Sequence, residues 1–247
     1  MTVSDGAAMV IRWVASVPIT ARYLLPAIAM AGTRPAAARE LVCQWAARAR
    51  ALFGIDLRVV DENGGRYSAA PYLFLHLNQA SHIESCLYPA IPASFRAVVN
   101  AEYAIFPLVG WVQVALGAIV VVRQWRAQGR YQMARAEEIL RRGENVAVSI
   151  EGHRSRDGTL GPYKKSPLLL GIRAGATIVP FLTLGARDRL PYGDWRVRPG
   201  EVTLWVGPSI ETTGLTYADR DRVAAELREW ATRTMARHEA SARAVGT

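Results

Sequence analysis

Short apolar runs alternate along the chain with longer segments in which apolar residues recur at helical spacing. The runs of strand length lie at 56–60, 72–77, 97–100, 118–123, 145–150, 177–184 and 202–206. The segments of helical spacing lie at 35–53, 131–142, 166–174 and 217–240, and Ser81 is expected to begin a further helix. This alternation predicts an α/β fold: a single domain with a mixed, mostly parallel sheet flanked by helices.

An apolar segment at residues 7–31 precedes this pattern. Arg12 and Arg22 interrupt it, so no uncharged run approaches the roughly 18–20 residues that a membrane span requires. Trp13, Tyr23 and the two arginines are residue types that sit at the level of lipid headgroups. We therefore expect an N-terminal apolar helical segment lying in the plane of a membrane surface. The alternative is a short helical layer packed on the rest of the protein.

The same patterns suggest a division of the chain. Residues 1–53 are expected to form the N-terminal helical membrane-surface segment, and residues 54–247 the α/β domain. The 247 residues, 51% of them hydrophobic, suffice for one sizeable core. Cys43 and Cys86 are the only cysteines, so no disulfide framework is expected and a reducing cytoplasm is the default location.

A surplus of basic residues indicates anionic partners. Lysine and arginine number 30 against 21 acidic residues, which gives a net charge of +9. Such a charge suits an acidic lipid surface, a phosphorylated substrate, coenzyme A or acyl carrier protein, although a merely solvated basic surface has the same composition. The sequence has no zinc-binding cysteine spacing and no aromatic RNA-binding strand pattern, so nucleic acid is not expected as a partner.

Four sequence blocks lie on or after predicted strands, at 78–84, 100–123, 151–165 and 178–180. The first reads Asn-Gln-Ala-Ser-His-Ile-Glu, and the third begins Glu-Gly-His-Arg-Ser-Arg-Asp-Gly. In this order the blocks resemble the glycerolipid (lysophosphatidic acid) acyltransferase family. The resemblance implies an enzyme that moves a fatty acyl group from acyl-CoA or acyl carrier protein to a phosphate-bearing lysolipid such as 1-acylglycerol-3-phosphate. It implies no cofactor.

The first block departs from the family pattern, which is Asn-His, four further residues, then Asp. Gln79 stands in the histidine place and Glu84 in the aspartate place. The resemblance implies that this histidine takes the proton of the acceptor hydroxyl, supported by the acid. A carboxamide has no useful basicity near neutral pH, and losing a general base costs about 10²–10⁴ in rate. Gln79 is therefore expected to have a positioning role.

Three side chains are candidates to replace the missing base. His82 follows Gln79 by about one helical turn, and His153 lies in the third block, where the family usually has a small residue. Glu84 is the third candidate, because burial would raise its pKa. Its competing role is structural, since Ser81 with Glu84 three residues later is a capping-box pattern. A metal site is not expected, because the histidine spacing matches no known metal motif.

The residues that the family pattern assigns to binding the acceptor are better preserved than the first block. Arg123 and Arg154 match the two arginines that the resemblance implies for binding the acceptor phosphate, as guanidinium groups do bidentately. Lys164 matches a family lysine, and Glu151 matches an acid that would bind acceptor hydroxyls or hold Arg154. Gly152 follows in the same loop, and loops carry many binding sites. A surface ion-pair cluster is the structural alternative.

Several functions are compatible with these residues. The leading one is an acyltransferase of phospholipid biosynthesis at the cytoplasmic face of the membrane, peripheral or monotopic. The alternatives are a catalytically impaired family member that binds lipid or an acyl carrier, and an acyltransferase for a specialised-metabolite acceptor. A thioester hydrolase is a further possibility that nothing in the sequence favours. The retained arginine pair favours a phosphorylated ligand.

Overall fold

The computed structural model describes residues 3–67, 71–155 and 157–245. Arg156 of the third sequence block lies outside the described residues. The strands are β1 (Ile55–Asp61), β2 (Tyr72–His76), β3 (Arg96–Asn100), β4 (Ile119–Val121), β5 (Val146–Ser149), β6 (Thr177–Leu184) and β7 (Gly200–Val206). The helices are α1 (Val3–Met30), α2 (Pro35–Phe53), α3 (Ala101–Ala104), α4 (Val109–Ala115), α5 (Arg126–Arg141), α6 (Lys165–Ala174), α7 (Ala186–Arg189) and α8 (Arg220–Val245). Short 3-10 helices cover His82–Cys86, Tyr88–Ala90 and Tyr217–Asp219.

One sheet organises the molecule, with the strand order β1-β7-β6-β2-β5-β3-β4. Neighbouring strands are parallel except for the antiparallel pair β6 and β7. The expected mixed, mostly parallel α/β sheet is confirmed. Because parallel strands end at the same edge, the segments that follow β2, β3, β4 and β5 meet there, at the kind of crevice where α/β sheets bind ligands.

The two central strands are buried on both faces, as parallel strands covered by helices are. Every residue of β2 and of β6 is buried. On one face, Leu73 and Leu75 pack in a cluster that includes apolar residues of α5, α6 and α8. On the other face, Phe74 packs with Phe181 and with residues of the segment 88–95. Alternate side chains of β2 therefore fix the sheet between two apolar layers.

Helices α1 and α2 form a hairpin on the outside of this body. Leu24 and Ala27 of α1 are fully buried in a cluster with Trp45 of α2 and Val112 of α4. Farther towards the N-terminus, an α1 face is exposed, including Val10, Ile11, Val14 and Val17 at 52–67%. By length and composition alone, Gly6–Met30 is apolar enough to cross a membrane, with a mean hydropathy of 1.3. The predicted N-terminal helix is confirmed. Its in-plane orientation and the division at residue 53 stay predictions.

Helix boundaries differ from the sequence prediction at two places that matter for the site. The helix after Ser81 is a five-residue 3-10 helix, because Pro89 and Pro92 follow closely and disfavour an α-helical continuation. Helix α5 begins before the predicted position 131 although Gly129 weakens its first turn. The carboxamide of Gln128 ties that turn to β4, accepting from Val122 N and donating to Val120 O, both at 2.9 Å.

Candidate functional site

The end of β2 delivers the first sequence block to the carboxyl edge of the sheet. The buried Asn78 side chain pairs with the backbone of Thr183 in β6, accepting from its N–H at 2.9 Å and donating to its carbonyl at 3.1 Å. The backbone carbonyl of the next residue, Gln79, accepts a hydrogen bond from the backbone N–H of Ser155 at 2.7 Å. This last bond joins the first block to the third, so the structure brings together the segments that the sequence predicted.

Glu84 is buried beneath this junction, with 1% of its surface exposed. Its Oε1 accepts hydrogen bonds from the backbone N–H groups of Ala80 (2.9 Å) and Ser81 (3.1 Å) and from Thr183 Oγ1 (2.9 Å). Its Oε2 accepts from the Tyr88 hydroxyl at 3.2 Å. The predicted capping box is confirmed. Burial raises the pKa of Glu84 to about 7, although all four hydrogen bonds lower it.

His76 completes a buried ring of hydrogen bonds with Glu84. Its Nδ1 lies 3.0 Å from the Tyr88 hydroxyl and its Nε2 lies 3.2 Å from Thr183 Oγ1. Burial lowers the pKa of His76 to about 3, so the imidazole is neutral at physiological pH. The His76 ring stacks on Phe181 with centroids 4.6 Å apart, so this histidine is a packed core residue.

A cavity of about 520 Å³ opens beside these residues. Its wall contains four predicted site residues, Arg123, Glu151, His153 and Arg154. The remaining lining residues are Glu102, Tyr103, Ser155, Asp157, Thr159, Gly161 and Tyr192. The cavity is therefore built mainly from the segments after β3, β4 and β5, as the parallel sheet requires.

Two arginine side chains in the wall of this cavity, Arg123 and Arg154, carry positive charge. Among the described residues, neither Arg123 nor Arg154 has a carboxylate within ion-pair distance. The Arg154 guanidinium instead lies 4.7 Å from the ring centroid of Tyr192 and 5.8 Å from that of Tyr103. Burial raises the pKa of Tyr103, and Arg154 and Arg123 oppose that rise, so both positive charges act on the same phenol. This arrangement suits an anionic ligand.

Glu151 lies in the wall of the same cavity and is fully buried. Its Oε1 accepts from the backbone N–H of Gly161 at 2.5 Å, while its Oε2 has no hydrogen-bond partner within the described residues. Burial raises the pKa of this carboxyl, with the Gly161 bond and the charge of Arg228 opposing the rise. The described ion pairs do not include one between Glu151 and Arg154, so this buried oxygen lacks a partner beside the cavity.

Lys164 and Gly152 lie at the edge of the third block and not among the residues that line the cavity. Gly152 has φ +69°, and a Cβ at that position would lie 2.6 Å from Lys164 Nζ. The left-handed backbone therefore requires glycine, and a side chain at this position would also displace the flexible end of Lys164. Backbone pairing of Lys164 N–H with the Ile150 carbonyl at 2.9 Å holds the lysine beside this turn.

The candidate bases occupy different places. His153 lines the cavity and is exposed, whereas His82 lies beside it, with its ring 5.5 Å from that of Tyr103. Burial lowers the pKa of His82 and the charge of Arg154 lowers it further. Neither imidazole has a hydrogen bond to Gln79 in the part of the chain that the structure describes.

Sequence reasoning missed four side chains of this region. Tyr88, Thr183 and Tyr192 are distant from the matching blocks in sequence or carry no spacing signal, so only the folded chain brings them to the site. Tyr103 lies inside the second block, directly after Glu102, yet its residue type and spacing gave no reason to assign it a role. Within the described residues, no group of three or more His, Cys, Asp or Glu side chains is placed to hold a metal ion.

Comparison with known proteins gives these observations a family context. Residues 80–183 match a family model described as Acyltransferase. The chain is similar to chloroplastic 1-acyl-sn-glycerol-3-phosphate acyltransferase of Brassica napus, 25% identical over 47% of this chain and 34% of that protein. It is 27% identical to 1-acyl-sn-glycerol-3-phosphate acyltransferase of Pseudomonas aeruginosa over 56% of this chain and 54% of that protein. The aligned part thus spans about a third to a half of these relatives.

One solved structure has the same fold over nearly the whole chain. It is the 1-acyl-sn-glycerophosphate (LPA) acyltransferase, PlsC, from Thermotoga maritima, with a TM-score of 0.77. The match covers 96% of this chain and 97% of that chain at 21% sequence identity. At this identity the likeness shows the fold, including an architecture shared beyond the residues that the family model covers.

Proposed function

We propose, from the chain's similarity to 1-acyl-sn-glycerol-3-phosphate acyltransferases, that it transfers a fatty acyl group from acyl-CoA or acyl carrier protein to a phosphate-bearing lysolipid such as 1-acylglycerol-3-phosphate. The observation that carries this proposal is the pair of unneutralised arginines, Arg123 and Arg154, in one cavity. An acceptor phosphate supplies the anion that such a pair lacks. The similarity to these enzymes suggests the reaction class, and the cavity supplies the reason for a phosphorylated acceptor.

Binding of the acceptor uses three groups of the cavity wall. Arg123 and Arg154 bind the phosphate oxygens, and the tyrosine rings beside Arg154 restrict its guanidinium to the cavity side. The unpaired Oε2 of Glu151 accepts a hydrogen bond from an acceptor hydroxyl, which satisfies an otherwise orphaned buried oxygen. Lys164 adds positive charge at the edge of the loop, next to Gly152.

Acyl transfer then requires one proton to move. The acceptor hydroxyl oxygen attacks the thioester carbonyl carbon, the carbon–sulfur bond breaks, and the hydroxyl proton ends on the departing thiolate. Gln79 orients groups at this centre and does not accept the proton. The base is one of Glu84, His82 or His153. Glu84 has a pKa near neutrality but is buried, whereas His153 faces the cavity.

Exposed apolar surfaces of the molecule suit a membrane-bound acceptor. Phe106 is 62% exposed and Trp111 is 49% exposed, both in the segment between β3 and β4 that also supplies Tyr103. The exposed face of α1 adds further apolar area. With the net charge of +9, these surfaces favour an anionic membrane surface as the site of action, at the cytoplasmic face and in a peripheral or monotopic arrangement.

A comparison of matched acceptors tests the proposal. Purified protein is given a long-chain acyl-CoA with either lysophosphatidic acid or monoacylglycerol, and ester formation is measured. Transfer to the phosphorylated acceptor and none to the other is the expected result. Arg154→Ala should raise the acceptor KM about 10–100-fold, the equivalent of losing a charge-assisted hydrogen-bonding group. The control is Arg130→Ala, which removes an exposed arginine that does not line the cavity.

One observation favours a second function: Gln79 stands where the family pattern has the histidine that acts as the base. A catalytically impaired protein that binds the phosphorylated lipid or an acyl carrier would keep Arg123 and Arg154 and lose the base, which is the combination present here. In the same assay such a protein would bind lysophosphatidic acid in an Arg154-dependent way and form no ester. Transfer to neither acceptor, with no binding of either, would contradict both functions.

A further inference from the structure

The turn that contacts Glu151 is also bonded to the C-terminal helix. The backbone N–H of Gly161 donates to Glu151 Oε1 at 2.5 Å. From α8, the Arg228 guanidinium donates through Nη1 to the Leu160 carbonyl at 3.4 Å and through Nη2 to the Gly161 carbonyl. Gly161 is therefore bonded to Glu151 at its N–H and to Arg228 at its carbonyl.

Arg228 is fixed in this place by the packing of its own helix. Leu227 and Ala231 of α8 are buried in the core cluster that includes residues of β2. The guanidinium carbon of Arg228 lies 4.7 Å from the ring centroid of Tyr163, whose ring packs against the same cluster. In the part of the chain that the structure describes, no carboxylate lies within ion-pair distance of Arg228. The guanidinium therefore bonds to the turn and not to a surface acid.

The position of the turn determines the geometry of the cavity wall. Gly161 and Glu151 both line the cavity, and a Cβ at Gly161 would lie 3.3 Å from Glu151 Oε1 and 3.7 Å from His153 Cε1. Because glycine is conformationally permissive, contacts from elsewhere must fix the backbone here. Misplacing a group that orients a substrate by about 1 Å can cost about 10²-fold in rate. The bonds from Arg228 are therefore placed to affect how Glu151 meets the acceptor.

We propose that Arg228 is a positioning residue of the acceptor site. By holding the carbonyls of Leu160 and Gly161, it keeps the Gly161 N–H on Glu151 Oε1 and leaves Glu151 Oε2 for the acceptor hydroxyl. This inference rests on the proposed function for its consequence in acceptor binding. Arg228 does not line the cavity and acts only through the turn, from which it is 67–68 residues distant in sequence.

The first test measures the hold on the turn and needs no activity. Arg228→Met removes the guanidinium and keeps a good helix former with an apolar side chain beside Tyr163. Amide hydrogen exchange of Gly161 should become about tenfold faster, the size of one hydrogen bond, while the amides of β6 exchange at the native rate. If Gly161 exchange accelerates no more than that of β6, overall stability has changed and the proposal is overturned.

The matched control is Arg233→Met. Arg233 lies on the same helix and forms its ion pair with Glu229, at 2.7 Å, away from the turn. This substitution should leave the exchange rate of the Gly161 amide unchanged. An acceleration as large as that in Arg228→Met would show that any lost arginine of α8 loosens the turn, which would overturn the specific role of Arg228.

The second test asks whether the contact matters for the acceptor. Arg228→Met should raise the KM for lysophosphatidic acid about tenfold and leave the KM for acyl-CoA unchanged. In a Glu151→Ala background the same substitution should cause no further rise, because the group that Arg228 positions is gone. Arg228→Lys keeps the charge and a donor, so its KM should lie between the two. An equal rise in both backgrounds, or a rise in both KM values, would overturn the positioning role.

The two tests separate this inference from the proposed function. If the native chain forms no ester while Gly161 exchange responds to Arg228→Met, the proposed function fails and the hold on the turn stands. If Gly161 exchange is unchanged in a folded Arg228→Met protein, the inference fails whatever the activity. Should Arg228→Met not fold, NMR of the native chain supplies the test. The Nη protons of Arg228 must then exchange with water more slowly than those of Arg233, and equal rates refute the contact.

Discussion

Replacing Glu84 by glutamine tests the electrostatics of the buried centre through stability. The carboxyl is 1% exposed, and burial raises its pKa from 4.5 to about 7. Glutamine keeps an oxygen that accepts from Ala80 and Ser81, so the cap of the 3-10 helix is retained. The substitution therefore removes the ionisable group with little change in shape.

The size and direction of the effect follow from the pKa of Glu84. Between pH 4.5 and 7 the folded protein keeps a proton on Glu84 that the unfolded chain has released. The stability contributed by this group is fully present below pH 4.5 and is lost as the pH rises through about 7. A shift of this size corresponds to on the order of 3 kcal/mol of unfolding free energy.

Urea unfolding of both proteins, followed by tryptophan fluorescence, measures this loss. The quantity of interest is the unfolding free energy of the native chain minus that of Glu84→Gln, at pH 4.5 and at pH 8. His76 contributes the opposite slope, since its pKa is lowered to about 3 and its contribution is lost as pH falls below 6.5. His76 is present in both proteins, so its effect largely cancels in the difference.

The unfolding free energy of the native chain minus that of Glu84→Gln should fall by on the order of 3 kcal/mol between pH 4.5 and pH 8. If this free-energy difference is the same at both pH values, Glu84 has an ordinary pKa. If the difference grows with pH, the pKa of Glu84 is lowered. Either result would refute the reasoning that burial outweighs the four hydrogen bonds. It would also remove Glu84 from the candidate bases on electrostatic grounds.

Three smaller predictions follow from other parts of the structure. Gly152→Ala should lower the unfolding free energy by about 1–3 kcal/mol, because the backbone has φ +69° and Lys164 Nζ occupies the space. Asn78→Ala should cost about 2–3 kcal/mol in urea unfolding, since two buried hydrogen bonds to β6 are lost. Val14→Glu on the exposed face of α1 should weaken binding to anionic vesicles in flotation assays and leave stability unchanged within about 0.5 kcal/mol.

Controls distinguish these effects from general damage. Gly143→Ala carries the same backbone strain at φ +83° with no atom within 4 Å of the new Cβ, so its cost should be smaller than that of Gly152→Ala. Equal costs would mean that Lys164 moves aside freely. A stable Asn78→Ala would show that the β6 contact is dispensable. Unchanged vesicle binding by Val14→Glu would place the membrane contact elsewhere than on α1.

The sheet was predictable because its strands are short apolar runs bounded by polar turns. The strand at 177–184 coincides with β6, whose eight residues are all buried and therefore read as one continuous apolar segment. Helix α2 likewise matches its predicted bounds, with proline at its start and glycine after its end. Helix α5 starts early because the tertiary bonds of Gln128 override the local weakness at Gly129.

Some features of the site could likewise be predicted from the local sequence, whereas others depend on long-range contacts of the folded chain. Local patterns predicted the capping role of Glu84, and the family pattern predicted that Arg123, Arg154 and Glu151 lie together. The contacts of Tyr88 with Glu84 and with His76 depend on chain turns after β2 that no spacing reveals. Those contacts decide how the altered first block is held, so its physical role emerged only from the folded structure.

The most direct measurement is ester formation from a long-chain acyl-CoA and lysophosphatidic acid by the native chain beside Gln79→His. If this is a family acyltransferase site with an altered base, the native chain forms ester. Gln79→His then changes its rate and its pH dependence, while Arg154→Ala raises the acceptor KM about 10–100-fold in both proteins. If neither protein forms ester and neither binds lysophosphatidic acid, the assignment of the cavity to a phosphorylated acceptor is wrong.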